Sequence, residues 1–377
     1  MSVKFCKNCF TPNTRPRIVF NNHGICNACL NSKEKKKTNW KQREKEFYKI
    51  ISNIKKDSKK NKRTYDCIVP WSGGKDSSSI ALKLKYNFGL NPLLVTFSPL
   101  IINEIGAHNR EELLKKGFDS IFFRPNQNVA RILSKRFFIE RGNPKVAWDA
   151  GINSIPVQIA IAYKIPYIFY AEHGESEYGG LVLSDKSKKL RDVKEVIEHQ
   201  IGDYPDNWES KEVSKSDLSP YIYPNHSILK KNKILAYYFS YFFKWSMFEN
   251  YNYVKKFLPN FKEDSNGRTV GTFTNFDSLD DKIDDLYYYM QYIKFGFGRC
   301  TRDVARFIQN GHISKLKGLK LIKKYDGEYP KRNLEIILNY LSLNQYNFEE
   351  IVNKHRNLEI WQARKNYWEL INNPGGR

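Results

Sequence analysis

Six consecutive residues combine small, glycine and charged side chains in a pattern suited to phosphate chemistry. In order they are Ser72, Gly73, Gly74, Lys75, Asp76 and Ser77, directly after the apolar run 67–71. A strand that ends in a glycine turn before a helix presents backbone N–H groups and a positive helix end to an anion. The run is not a Walker A loop, because that motif needs a glycine where this chain has Val69. We therefore predict a phosphate-binding turn, with an ordinary strand–helix turn as the alternative.

Four cysteines near the N-terminus have the spacing of metal ligands. Cys6 and Cys9 form one Cys-x-x-Cys pair, Cys26 and Cys29 form a second, and 16 residues separate the pairs. Two such pairs can complete a tetrahedral zinc site, and an iron–sulfur cluster on the same thiolates is the alternative. Four thiolate ligands leave no open coordination position, so we predict a structural zinc in a ribbon-like module.

An acidic segment with several glycines, 172–180, follows the apolar run 167–171. Glu172, Glu175 and Tyr178 are its candidate binding residues. Carboxylates at the end of a strand could hold Mg²⁺ that bridges ATP phosphates, or could receive an ammonium ion or a substrate amine. A charged surface loop is the alternative that these residue types leave equally open.

A third candidate site lies within 294–303, where a glycine-spaced aromatic turn leads into a predicted helix. Arg299, Arg302 and Arg306 fall on one face of this helix, and grouped guanidinium groups suit a carboxylate or a phosphate. The alternative is a basic helix surface that Asp303 partly neutralises.

Alternating strands and helices are expected to position the glycine turn 72–77 and the acidic segment 172–180. The periodicity predicts strands over 66–71, 93–97, 120–123 and 167–171, and helices over 77–88, 109–116, 129–139 and 152–163. This alternation is typical of an α/β fold with a doubly wound parallel sheet, which binds ligands at the carboxyl ends of its strands. The strand pattern fades after about residue 181, and the apolar run 234–248 favours a buried or subunit-interface helix.

Charge and composition narrow the class of protein. The chain has 377 residues and a formal net charge of +23, and the segment 31–63 holds 14 basic against 4 acidic residues. Apolar residues at helical spacing within that segment predict an amphipathic connecting helix. The remaining charge is spread thinly, so we expect no nucleic-acid substrate. We also expect a cytoplasmic protein with no membrane span, because no apolar run is long enough, no signal peptide is evident, and four of six cysteines have metal-ligand spacing.

The run 71–77 resembles the PP-loop of ATP pyrophosphatases, whose pattern is Ser-Gly-Gly-x-Asp-Ser. Taken together, the motifs resemble the N-acetyl sugar amidotransferases of this superfamily and are most similar to the pseudaminic-acid amidotransferases. The strings that carry the resemblance are Thr14-Arg15-Pro16, Gly24 to Cys29, Trp71 to Ser77, Gly174 to Gly180, Lys294 to Arg299 and Lys323 to Gly327. The chain departs from the family spacing at one point, where only Ser176 separates two glutamates.

The resemblance implies an ATP-dependent, AMP-forming enzyme. Its reaction would convert an N-acetyl group of a bacterial amino sugar, a nonulosonic acid such as pseudaminic acid or a nucleotide sugar, to an acetamidino group. An O-adenylated intermediate would react with ammonia and release AMP, after pyrophosphate has left, in the biosynthesis of surface polysaccharide or flagellin glycans. The resemblance implies catalytic roles for Lys75 and Asp76 and binding of ATP with Mg²⁺ by 72–77. The implied acceptor-binding residues are Glu172, Glu175, Tyr178, Arg299 and Arg302.

The resemblance also implies a partner and a division of the chain. The family takes ammonia from a separate glutaminase and channel pair resembling imidazole-glycerol-phosphate synthase, and neither Cys67 nor Cys300 has the setting of a glutaminase nucleophile. A homo-oligomer is compatible with the sequence. The predicted segments are a zinc ribbon over 1–30, a basic connecting helix over 31–64, a PP-loop α/β domain over 65–180 and a mostly helical acceptor and partner region over 181–377.

Two other classes of protein share some of these features. A PP-loop enzyme that modifies tRNA, by thiolation or lysidine formation, would suit the basic charge and the zinc ribbon. Thiolation often needs further cysteines, and only Cys67 and Cys300 remain outside the ribbon. A non-catalytic zinc-ribbon scaffold would leave the intact glycine turn unexplained.

Overall fold

The computed structural model describes residues 3–374 and is built around a five-stranded parallel sheet. The strands of the sheet are β1 Cys67–Pro70, β2 Pro92–Phe97, β3 Asp119–Phe123, β4 Tyr167–Tyr170 and β5 Leu235–Tyr238. Their spatial order is β3-β2-β1-β4-β5, and every neighbouring pair is parallel. The predicted α/β class with a parallel sheet is confirmed. A separate antiparallel hairpin, β6 Trp361–Ala363 and β7 Trp368–Leu370, lies near the C-terminus.

Sixteen α-helices accompany these strands within residues 3–374. They are α1 Asn27–Lys35, α2 Trp40–Lys60, α3 Lys75–Leu82, α4 Glu104–Leu114, α5 Gln127–Arg141, α6 Val146–Ala162, α7 Gly174–Tyr178, α8 Val193–Glu195, α9 His226–Lys231, α10 Phe239–Phe242, α11 Met247–Phe257, α12 Asp284–Phe295, α13 Arg299–Gln309, α14 Lys315–Tyr325, α15 Leu334–Leu341 and α16 Gln345–Lys354. Two of them continue as π-helical turns, α3 over Lys83–Asn87 and α8 over Val196–Ile201. No helix in the described part of the chain has the length and apolar character needed to cross a bilayer.

Helices cover both faces of the sheet, which explains why its central strands are apolar throughout. Successive residues of a strand point to opposite faces. Ile68 packs in one core with side chains from α5 and α6, whereas Cys67 and Val69 pack in another with side chains from α2, α3 and α4. The predicted amphipathic helix is α2, and its buried residues Phe47 and Ile51 belong to this second core.

The order of the strands creates a crevice between β1 and β4. The chain runs from β1 outward through β2 to β3, then returns to place β4 and β5 on the other side of β1. The segments that follow β1 and β4 therefore diverge at the carboxyl edge of the sheet, where open α/β sheets bind ligands. The glycine turn 72–74 and the acidic segment 172–180 leave the sheet at this point.

The structure corrects the prediction for residues 234–248. That run contains a strand, β5, followed by the short helix α10, rather than one buried helix. Leu235 to Tyr238 pairs in register with Tyr167 to Tyr170, so hydrogen bonding to an existing edge strand decides the conformation of an apolar run that periodicity leaves ambiguous. The sheet thus takes a strand from beyond residue 180, in the region predicted to be mostly helical.

Two of the predicted helices begin well before the residue at which the sequence indicated their start. The helix predicted over 109–116 begins at Glu104, where the Asn103 side chain accepts a hydrogen bond from the backbone N–H of Ile105. The helix predicted over 152–163 begins at Val146 and contains Pro156. In the second case the missed first turn includes Val146 and Ala147, which are buried in the same core as Ile68, so the apolar pattern begins with the helix itself.

Candidate active site

The glycine turn after β1 has a backbone conformation that only glycine adopts easily. Gly73 has a φ of +94°, and a Cβ there would lie 2.5 Å from Cγ of Arg110 and 3.1 Å from the carbonyl oxygen of Gly106. Trp71, the last residue before the turn, is fixed by its indole Nε1, which donates to Oγ of Ser78 at 2.9 Å. The turn is therefore held closely between β1 and α4, and α3 begins at Lys75 with its N-terminus at the crevice.

Lys75 and Asp76 form the charged end of this turn. The Lys75 ammonium is buried, donates to Oδ2 of Asp76 at 3.0 Å and contacts Asp277. Burial alone would lower the pKa of Lys75, but the charges of Asp277 and Asp76 outweigh it and raise the pKa above its ordinary value. Nδ2 of Asn250 donates to the other carboxylate oxygen of Asp76 at 2.8 Å. Lys75 is thus a fixed positive charge, and Asp76 has a fixed orientation.

Asp277 is a central residue of the site that the sequence did not reveal. Its carboxylate contacts both Lys75 and Arg302, and its backbone carbonyl accepts from Arg299. Burial would raise its pKa, but the surrounding positive charges of Lys75, Arg302 and Arg299 hold the pKa well below its usual range. No local pattern marks Asp277, which lies in an irregular segment 202 positions away from Lys75 in the chain.

The acidic segment after β4 brings Glu172 and Tyr178 into the crevice. The Tyr178 hydroxyl donates to Oε1 of Glu172 at 3.2 Å. Burial, reinforced by the negative charge of Asp76, raises the pKa of Glu172 to about 7, against the lowering effect of Lys75. Glu172 and Asp76 are therefore electrostatically coupled, as the shared sheet edge predicts.

Glu175 lies in the same crevice but is held by other groups. Its carboxylate accepts from Nη2 of Arg17 at 2.9 Å and from the backbone N–H of Leu181 at 2.7 Å. Glu177 is buried and forms ion pairs with Arg306 and Lys35. These two glutamates tie α7 to the ribbon and the C-terminal helices.

The three arginines of α13 differ in burial and in partners, although Arg299 and Arg302 both contact Asp277. Arg302 lines the cleft and pairs with Asp277 and Asp303. Arg299 is 1% exposed and donates to backbone carbonyls, and Arg306 pairs with Glu177. Arg299 and Arg302 both lie over the ring of Tyr288, so these two guanidinium groups stay close together, whereas Arg306 is engaged elsewhere by Glu177.

These elements enclose a cleft of about 840 Å³. This volume is at the upper end of the range for small-molecule sites and has room for two substrates. The glycine turn, Glu172, Tyr178 and Arg302 line the cleft, as do charged residues that sequence reasoning missed. The missed residues are Arg15, Arg17, Lys145, Asp149, Arg191, Asp277, Asp280, Asp284 and Lys294.

The four N-terminal cysteines form one buried cluster whose dimensions fit a zinc ion. Their sulfur atoms all lie within 4.8 Å of one another, with Cys6 to Cys29 at 3.9 Å and Cys9 to Cys26 at 3.6 Å. A tetrahedron with Zn–S bonds of about 2.3 Å has S–S edges of roughly 3.8 Å. The backbone N–H of Cys26 donates to the sulfur of Cys6 at 3.2 Å, as is favourable for a thiolate. These residues would hold a structural metal.

We expect about one zinc per chain, and we expect Cys26→Ser to lose the metal and unfold the ribbon, because closed thiolate sites supply folding energy to small modules. Elemental analysis and the melting temperature measure both effects. Cys67→Ala, in β1 and outside the cluster, is the matched control and should keep its zinc. Iron with sulfide, or a stable protein without metal, would contradict this expectation.

Comparison with known proteins identifies relatives of parts of the chain. Residues 270–374 match the family model described as "LPS biosynthesis protein WbpG-like, C-terminal domain". The uncharacterized protein MJ1599 of Methanocaldococcus jannaschii is 38% identical over 91 residues, which are 24% of this chain. The chain covers 31% of that curated relative's length. The matched segment, which contributes Asp277 and Arg302 to the cleft, is similar to a domain of proteins of lipopolysaccharide biosynthesis.

Proposed function

We propose that this protein is an ATP-dependent, AMP-forming amidotransferase that converts an N-acetyl group of a bacterial amino sugar to an acetamidino group. One observation carries the proposal. The glycine turn of the sheet and two residues of the WbpG-like segment, Asp277 and Arg302, meet in a single cleft, and Lys75 and Arg302 contact the same carboxylate. A turn whose backbone suits phosphate thereby lies next to a segment similar to a polysaccharide-biosynthesis domain.

The turn would bind the β- and γ-phosphates of ATP. Backbone N–H groups at the start of α3 and the serine hydroxyls of Ser72 and Ser77 would donate to phosphate oxygens. Lys75 would neutralise phosphate charge, since its raised pKa keeps it charged throughout the physiological range. Asp76 and Glu172 suit Mg²⁺, because a divalent cation would offset both the burial of the Glu172 carboxylate and its repulsion by Asp76, the two effects that raise the pKa of Glu172.

The chemistry replaces one oxygen of the acceptor by nitrogen. The acetamido oxygen attacks the α-phosphorus of ATP, its new P–O bond forms as the bond to pyrophosphate breaks, and an O-adenylated imidate results. Ammonia then adds to the imidate carbon, and AMP leaves with the former acetamido oxygen. The acceptor loses about 1 Da and gains a positive charge, because an amidine is a much stronger base than an amide.

The other predicted acceptor residues divide into two groups by their contacts. Tyr178 and Arg302 line the cleft and are proposed to contact the acceptor directly. Glu175 also lines the cleft, but its carboxylate is engaged by Arg17, and Arg299 is engaged by backbone carbonyls. We propose positioning roles for Glu175 and Arg299, the first for the ribbon and the second for Asp277.

Ammonia would come from a separate glutaminase and channel pair. The two cysteines outside the ribbon, Cys67 and Cys300, are buried. Burial raises the pKa of both thiols well above the usual range, which disfavours the thiolate that glutamine hydrolysis requires.

We expect the isolated chain to form AMP and pyrophosphate from ATP and Mg²⁺ only when an N-acetylated sugar and an ammonium salt are both present. Glutamine should not replace ammonium, for the reason given above. Chromatography of nucleotides and mass spectrometry of the sugar measure the two products. Cys67→Ala and Cys300→Ala should leave ammonium-dependent turnover intact. Glutamine-dependent turnover that either substitution abolishes would contradict the need for a partner.

We expect kcat/KM for ATP to rise with pH and to inflect near pH 7. Burial raises the pKa of Glu172 to about 7, so the carboxylate needed for Mg²⁺ forms only as the pH increases through that value. Folding favours the protonated form, and Glu172 therefore lowers stability as the pH rises from about 4.5 to 7. Asp149 has a similar pKa of about 7 and also lines the cleft. Glu172→Gln should remove the inflection in a pH–rate profile and Asp149→Asn should retain it; the reverse pattern would reject this role for Glu172.

A further inference from the structure

Arg15 is a ribbon residue whose side chain reaches the cleft. Its Nε donates to the carbonyl oxygen of Gly179 at 3.3 Å, and its guanidinium carbon lies 5.8 Å from the centre of the Phe297 ring. Within residues 3–374 it forms no ion pair, and its two terminal nitrogens make no hydrogen bond. Burial lowers its pKa although the charge of Glu175 opposes this effect, so the positive charge is incompletely compensated.

Three other cations of the cleft differ from Arg15, because each of them is paired with a carboxylate. Arg17 is bidentate on Glu175, and Arg302 is shared between two aspartates. Lys145 forms a buried ion pair with Asp284. These three charges are neutralised by the protein itself, whereas Arg15 retains the planar pair of terminal donors that binds carboxylate and phosphate groups in a bidentate manner.

The ribbon that carries Arg15 is attached to the rest of the protein by hydrogen bonds to two different segments. Thr14, its neighbour in the chain, donates to the carbonyl oxygen of Phe295 at 2.5 Å. The first helix of the ribbon docks on the acidic segment, because Asn27 donates to the carbonyl oxygen of Gly180 at 2.6 Å and Asn31 to that of Ser176 at 2.8 Å. The position of Arg15 is therefore set by the zinc module and not by a free loop.

We propose that Arg15 forms an anion subsite at the acceptor end of the cleft and binds a carboxylate or phosphate group of the sugar. This inference rests on the proposed function. Arg15 is near Tyr178, with which it shares both the main cleft and an adjoining small cavity, and the Tyr178 hydroxyl contacts Glu172. An acceptor whose acetamido group lies near Glu172 would extend its acidic group past Tyr178 to Arg15. The zinc ribbon would then contribute to substrate selection as well as to folding.

Three acceptors distinguish the sources of the negative charge. N-acetylneuraminic acid carries a carboxylate, UDP-N-acetylglucosamine carries a diphosphate, and N-acetylglucosamine carries neither. We expect Arg15→Ala to raise KM by about 30-fold or more for the anionic acceptor that the enzyme uses. The negative group of that acceptor would lose the guanidinium that pairs with it in the cleft. The value of kcat should change less than about threefold, since the contact is present in ground and transition states alike. Arg15→Lys should restore part of the affinity, and Lys33→Ala, a change at an exposed residue of α1, should leave the protein behaving as the unaltered one does.

Direct binding separates failure of this inference from failure of the proposed reaction. Isothermal titration with the same three sugars and with Mg-ATP should show weaker binding of the anionic sugar to the Arg15→Ala protein, unchanged binding of ATP and an unchanged zinc content. An equal loss of ATP affinity would assign Arg15 to the nucleotide, and preferred binding of N-acetylglucosamine independent of Arg15 would leave no anion subsite; either result overturns the inference. If no N-acetyl sugar is turned over but Arg15-dependent binding of an anionic sugar persists, the subsite is retained and the reaction is rejected.

Discussion

Asp76→Asn is expected to lower kcat/KM for AMP formation by about 10²–10³-fold or more, a range typical of losing one electrostatic contact at a transition state. The substitution keeps the size of the side chain and removes the charge that faces the cleft beside Lys75. Lys75 retains Asp277 as a partner, so we expect the fold and the zinc content to be preserved. A fall in kcat would indicate that Asp76 makes its contact only in the transition state. A rise in KM would indicate that its contribution to binding phosphate or metal is equally strong in the ground state.

Asp66→Asn is the matched control for this substitution. Asp66 precedes β1 at the opposite, amino edge of the sheet, where its carboxylate accepts from the backbone N–H of Asn91 at 2.7 Å. Turnover should remain within about twofold of the unaltered protein, as for other changes remote from a site. Retention of more than a tenth of the activity by Asp76→Asn, with Asp66→Asn unaffected, would exclude a central role for Asp76.

Asp277→Asn is expected to lower the free energy of unfolding by about 3–5 kcal/mol and to abolish turnover. Removing the one carboxylate shared by Lys75 and Arg302 leaves buried positive charges without full compensation, which is among the costliest single changes in a protein. The same charge positions Lys75 at the glycine turn, so the catalytic effect should exceed what lost stability alone explains. Urea denaturation and single-turnover AMP formation at low temperature measure the two effects separately.

Asp185→Asn serves as the control for the charge effect. Asp185 also pairs with a lysine, Lys188 at 2.7 Å, but its side chain is 95% exposed and water screens the pair. We expect a change of less than about 0.5 kcal/mol. Because the pKa of Asp277 is depressed in the fold, its stabilising contribution is present above its ordinary pKa and is lost as the pH falls below it. If Asp277→Asn changed the free energy of unfolding as little as Asp185→Asn, the buried charge cluster around Asp277 would be contradicted.

The sequence predicted those features that depend on short stretches of chain. The two Cys-x-x-Cys pairs converge on one buried cluster, because each pair brings two sulfurs together within a single turn. The turn 72–74 and the segment after β4 meet in one cleft, because carboxyl ends of neighbouring parallel strands share an edge. Periodicity also identified the first four strands of the sheet, although it misplaced the starts of two helices.

Features that depend on distant parts of the chain were not predictable in the same way. The apolar sequence of β5 is equally compatible with a buried helix. Its strand conformation depends on pairing with β4, which only the three-dimensional structure reveals. Asp277 has no periodic or motif signal, yet it is the carboxylate on which Lys75 and Arg302 converge. Arg15 lies in a short string that carries the family resemblance, but its access to the cleft follows only from the docking of the ribbon on α7.

Transfer of ¹⁸O from the acceptor to AMP tests the central claim most directly. The N-acetyl carbonyl oxygen of the sugar is labelled, the reaction is run with ATP, Mg²⁺ and an ammonium salt, and AMP is analysed by mass spectrometry and ³¹P NMR. O-adenylation of the amide predicts one labelled oxygen in the phosphate of AMP, unlabelled pyrophosphate and an acetamidino sugar without the label. Release of ADP and phosphate, or of AMP that carries oxygen from water, would contradict it.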